Sequence, residues 1–222
     1  MSIDESETQE QSPDELFLTA VLFESALAVI AIVLGWALGP SARDLVPELH
    51  ADQIWLILTG LGQGLLAAVP IVIVIELIRH IPWEPSRELE RLTEQGMVKS
   101  LLELTPWELI VISICAGIGE ELLFRGWMMY WLADGMKFVA PEVPSQSLLM
   151  IALVVSSLVF GFFHPITRLY VVLAALMGVY FGLLVIWTGN LLVPITAHAA
   201  YDAAQLLLTK REVQHENGAA EE

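Results

Sequence analysis

The residues with the clearest capacity for chemistry lie in Cys115-Ala-Gly-Ile-Gly-Glu-Glu-Leu-Leu-Phe-Arg-Gly126. Glu120, Glu121 and Arg125 fall in the middle of an apolar run from Trp107 to Leu132, long enough to cross a bilayer. Charged groups at membrane depth cost about 2.5–3.5 kcal/mol each, so they face a protein interior or a cavity. Counted with Asp202, four such groups cost roughly 12 kcal/mol, comparable with the stability of a whole domain. On a helix, Glu121 and Arg125 are i,i+4 neighbours with the acid first, the favourable order for an ion pair. Glu120 points about 100° away and is left for chemistry. The competing reading is a structural Glu-Glu-Arg cluster that fixes helix packing.

Two further groups interrupt the apolar background. Phe160-Gly-Phe-Phe-His164-Pro165 ends one apolar run with a histidine. His198-Ala-Ala-Tyr-Asp202 places a histidine and an acid one turn apart on one helix face. Each has a bland alternative: an interfacial histidine in the first case, a structural His–Asp hydrogen bond in the second. Together, Glu120, His164, His198 and Asp202 come from three helices. A carboxylate and a histidine can deprotonate a water, and a second histidine can donate to a developing oxyanion. The set suits hydrolysis inside the membrane. No cofactor is required for that chemistry; the alternative is a divalent zinc ion held by Glu120, His164, His198 and Asp202. The soluble zinc-protease pattern H-E-x-x-H is absent.

The helices that must carry these groups are legible as six apolar runs: Leu16–Leu38, Ile54–Ile78, Trp107–Leu132, Leu148–Phe163, Leu169–Trp187 and Leu191–Leu208. A composition 56% hydrophobic, with mean hydropathy +0.66, is too apolar for a soluble domain of this size. The expected fold is therefore all-α, a polytopic membrane protein of about six transmembrane helices around a buried polar site. Residues 1–15 read as a disordered acidic tail, and 16–106 as two transmembrane helices with an amphipathic linker. Residues 107–208 read as a core of four transmembrane helices, and 209–222 as a C-terminal tail. Glu24 interrupts the first run and is expected to face the bundle, and Glu76 is expected to pair with Arg79 or to snorkel; neither receives a catalytic role. Asp134–Ser147 reads as a loop. Trp107, Trp127, Trp131 and Trp187 read as interfacial belt residues. Gly178-xxx-Gly182 is a spacing that lets helices approach closely.

The formal charge is -16, and the first fifteen residues hold six acids and no Lys or Arg. That excludes a basic signal-peptide n-region and argues against nucleic acid as a partner. The single cysteine, Cys115, cannot form an internal disulfide. Arg79, Arg87, Arg91, Lys99, Arg168, Lys210 and Arg211 fall on one side of six spans, Arg43 and Lys137 on the other. The excess of Lys and Arg predicts an integral protein of the plasma (inner) membrane with both termini cytoplasmic. Reporter fusions at the two tails test this: both are expected to report the cytoplasmic side, and two extracytoplasmic signals would reverse the orientation.

In order along the chain, Glu120-Glu121-xxx-Arg125, Phe160-xxx-His164 and His198-xxx-Asp202 resemble the three motifs of the CPBP (CAAX/ABI) intramembrane proteases, which include the type II CAAX prenyl endopeptidases. The resemblance covers about residues 107–208. It implies an intramembrane endopeptidase, of glutamic or metallo type, acting on a membrane-associated peptide or protein of the CAAX class, with the lipid bilayer as its surroundings. It implies that Glu120 and His164 activate the water, that His198 and Asp202 serve the oxyanion, and that Glu121 and Arg125 support the site. The family's last motif residue is commonly Asn. An ionised Asp202 would repel an oxyanion, so it must be protonated, orient His198 or bind a metal. The alternative of a different class is a non-catalytic immunity or scaffold protein of the same family. A small-solute or proton carrier is a third reading, weakened by the lack of paired repeats.

Overall fold

A computed structural model describes residues 12–85, 87, 91 and 96–220. All regular structure among the described residues is helical. In chain order the helices are α1 (Pro13–Leu38), α2 (Ile54–Arg79), α3 (Gly96–Glu103), α4 (Pro106–Glu121), a π-helical segment Leu122–Met128, α5 (Met129–Val139), α6 (Ser145–Phe162), α7 (Arg168–Thr188) and α8 (Leu192–Ala220).

Four of these, α1, α2, α6 and α7, are long and apolar enough to cross a membrane. They coincide closely with four of the six expected runs. The other two runs are composite. The third is divided by the π segment, whose i→i+5 turns interrupt the α register directly after Glu121. The last is diluted by the polar side chains of His198, Tyr201, Asp202 and Gln205 and continues as helix well past Leu208.

Local chemistry fixes the ends. Ser12 and Glu15 form a capping box, so Pro13, Asp14 and Glu15 belong to the first turn of α1 rather than to the tail. Residues 1–11, the rest of the expected tail, lie outside the described residues. A second capping box, Thr105 with Glu108, starts α4. Asn190 precedes α8: its side-chain oxygen accepts from Leu192 N at 3.0 Å, and its amide donates to Leu56 O of α2 at 3.1 Å. The expected C-terminal tail is helical to Ala220, because Arg79 ties Glu212 to Glu76 at the end of α2 and Lys210 donates to the Leu102 carbonyl. The expected loop 134–147 is shorter as well, since α5 runs through Val139.

Packing runs as a chain of neighbours: α1 lies on α4, α4 on α8, α8 on α2, and α6 on α7. α3, from the charged linker, sets Leu101, and Leu104 just after it, against Leu109, Phe17 and Leu206. Trp107, Trp131 and Trp187 are exposed, but Trp127 is buried, its indole N–H donating to Gly39 O at 3.2 Å. A belt position would have left that N–H in the headgroups; here the turn after α1 satisfies it.

Candidate active site

The last turn of α4 presents both glutamates. Glu121 and Arg125 are wholly buried and paired at 2.9 Å, as their i,i+4 spacing predicts. The pair survives the π segment because residues four apart stay on nearly the same face there. Arg125 is also placed by aromatic faces: its guanidinium lies 4.2 Å from the Phe160 ring centroid. It needs the glycine at 178 as well, since a Cβ there would lie 3.0 Å from its Nη2 and 2.9 Å from Ser157 Cβ.

Glu121 does more than neutralise Arg125. The same oxygen, Oε1, accepts from His198 Nδ1 at 2.9 Å. Arg125, Glu121 and His198 thus form a line in which the carboxylate fixes the imidazole's orientation, leaving Nε2 free. His198 is held further by stacking on Phe181, with ring centroids 5.0 Å apart and planes 15° apart. Its Nε2 faces Asp202 Oδ2 at 3.4 Å and Glu120 Oε2 at 3.7 Å.

His164 approaches from the other side. It sits in the turn after α6, where the following proline disfavours further helix. Its Nδ1 donates to the Phe160 carbonyl at 2.8 Å, a bond that fixes the tautomer because a carbonyl can only accept. Nε2 therefore points to Glu120 Oε1, at 3.6 Å. Glu120 lies between the two imidazoles, one facing each carboxylate oxygen. The side chains of His164 and Asp202 are 23% and 29% exposed, whereas Glu121 and Arg125 are closed off, so the site opens past His164 and Asp202.

All the residues expected from sequence are therefore brought together: Glu120 at the centre, His164, His198 and Asp202 around it, Glu121 and Arg125 behind His198. Among the described residues no three His, Cys, Asp or Glu side chains are grouped as a ready-made ligand set for one ion. The donors instead meet in successive pairs. Sequence reasoning missed Phe181, whose signal is an aromatic between Gly178 and Gly182, and Tyr170, whose ring centroid is 6.1 Å from that of His164. It also missed the link from Glu121 to His198, which no local spacing encodes.

Buried acid and imidazole groups contributed by separate helices thus meet at one place. Residues 102–204 match the family described as Type II CAAX prenyl endopeptidase Rce1-like, a membrane family, and that segment contains every residue of the three motifs. Searches of curated proteins and of solved structures gave no significant match.

Proposed function

We propose that the chain is an intramembrane endopeptidase that hydrolyses a peptide bond in a membrane-associated substrate of the CAAX class, using water activated by Glu120 and His164 without a metal. The observation that carries this reading is the Glu120 carboxylate set between two oriented imidazoles at 3.6 and 3.7 Å. Those spacings exceed a direct hydrogen bond and allow one water oxygen to be shared between acid and imidazole. Such a water gives one hydrogen to Glu120 and one to His164 Nε2, and keeps a lone pair for the carbonyl carbon. As the bond forms, its proton passes to Glu120. The carbonyl oxygen becomes an oxyanion, which a doubly protonated His198 stabilises through its Nε2–H while its Nδ1–H remains bonded to Glu121.

Asp202 Oδ2 lies 3.4 Å from His198 Nε2, the atom that meets the oxyanion, where an ionised carboxylate opposes the developing charge. Asp202→Asn substitutes a neutral amide donor. It is expected to keep or raise the cleavage rate, as read from initial rates. A rate lost together with bound zinc would instead support a metal ligand at this position.

The test of the function itself is a proteomic comparison of cells carrying the wild-type chain with cells carrying Glu120→Ala. At least one new C-terminal peptide is expected with the wild type alone. Identical C-terminal profiles would remove the peptidase reading and favour a non-catalytic scaffold.

A further inference from the structure

Glu24 is a charged residue that the matched segment, residues 102–204, does not include. It lies on α1, the apolar helix packed against α4. The contact is close at one place: a Cβ on Gly119 would lie 2.2 Å from the Glu24 carbonyl oxygen, so α1 meets α4 through the residue just before Glu120. The Glu24 carboxyl points inward from there. Its Oε2 is enclosed and has no hydrogen-bond partner. The charged groups around it are Glu120 of α4, His198 and Asp202 of α8, and His164 from the turn after α6.

The charge balance of the site then has a consequence. Glu24, Glu120, Glu121 and Asp202 are four carboxyl groups. Arg125 and two fully protonated imidazoles supply at most three positive charges. At least one carboxyl must therefore keep its proton if the site is to be neutral, since uncompensated charge is costly at this depth. Glu121 is paired with Arg125 and His198 at 2.9 Å, Asp202 faces His198 at 3.4 Å, and Glu120 faces both imidazoles. Among the described residues only Glu24 of the four makes no ion pair. Two carboxyl groups in unequal surroundings divide into an acid and a base, and here the unpaired member is the acid.

We propose that Glu24 is a further catalytic residue, supplied by α1, which donates the proton required by the leaving nitrogen. This rests on the peptidase reading above and adds the step that reading leaves open, because an amide nitrogen does not depart without a proton. Water adds to the carbonyl carbon as its proton moves to Glu120. The C–N bond then breaks as Glu24 transfers its proton to nitrogen. The products are a carboxylic acid and an amine, and the proton on Glu120 returns to Glu24, so the enzyme is restored.

The experiment compares wild type, Glu120→Ala, Glu24→Gln and Glu24→Asp in membranes, following the C-terminal fragment whose formation depends on Glu120, over a range of pH. Glu24→Gln keeps size and polarity but carries no acidic proton. It is expected to slow cleavage about 100-fold, a typical contribution of a general acid, with its thermal transition unchanged. The alkaline limb of the pH profile, which reports loss of the Glu24 proton, should disappear. Glu24→Asp should restore part of the rate and the limb. Glu24→Gln cutting at the wild-type rate, or keeping the alkaline limb, overturns the assignment while leaving the peptidase reading intact. Loss of the thermal transition in both Glu24 variants assigns the residue to packing and overturns it equally. Absence of any Glu120-dependent fragment removes the peptidase reading itself, and this assignment with it.

Discussion

Glu120→Gln is expected to abolish cleavage while the protein folds and expresses as before. The carboxylate has no direct hydrogen bond to lose: its nearest polar neighbours are imidazole nitrogens at 3.6 and 3.7 Å. Glutamine fills the same volume in a site where Glu120 is only 7% exposed, so packing against α1 and α8 is retained. What disappears is the capacity to accept a proton from water. A general base contributes about 10²–10⁴-fold, and the loss should fall in that range or beyond, because the amide would also present N–H groups to the imidazoles. The Glu120-dependent fragment should be undetectable, with the thermal transition within a degree or so of the wild type. A Glu120→Gln protein that still cuts at a near wild-type rate contradicts the general-base role.

Glu121→Gln should behave in the opposite way, failing first in stability. Glu121 is fully buried, and one of its oxygens accepts from both Arg125 Nη1 and His198 Nδ1 at 2.9 Å. Removing its charge leaves Arg125, 1% exposed, with no partnered carboxylate. Breaking a buried pair from one side costs about 3–5 kcal/mol, a large part of the roughly 5–15 kcal/mol that holds a domain together. The expected results are lower yield in membranes and a clearly reduced unfolding temperature. Any residual protein should cleave poorly, because His198 has lost the group that orients it. Unchanged thermal stability would show that Arg125 is satisfied by the faces of Phe160 and its neighbours instead.

The contrast between adjacent glutamates was legible in the sequence because it is a local property of a helix. The i,i+4 pairs Glu121–Arg125 and His198–Asp202 need only the helical repeat, and both are present. The approach of His164 to Glu120 joins separate helices, and only the residue types and the resemblance in motif order pointed to it. Glu24 was visible as a charge in an apolar run, but its contact with Gly119, next to Glu120, depends on where α1 crosses α4, which periodicity does not encode. The π segment was invisible for another reason. It is a change of hydrogen-bond register within Leu122–Met128, where no proline marks the sequence. The continuation of α8 was missed because its last turns are charged, and composition alone reads charge as a solvated tail. Arg79, more than a hundred residues earlier in the chain, supplies the partner.

The measurement that bears most directly on the central claim is the cleavage rate of purified, thoroughly chelated protein, with its zinc content determined on the same sample and Glu120→Gln run beside it. Its substrate is the parent protein of the Glu120-dependent fragment. With water activated by Glu120 and His164, the chelated wild type should retain its rate without stoichiometric zinc, and the Glu120→Gln variant should show none. A rate silenced by chelation and restored by a divalent ion, with Glu120, His164, His198 and Asp202 each needed for binding, would contradict that account.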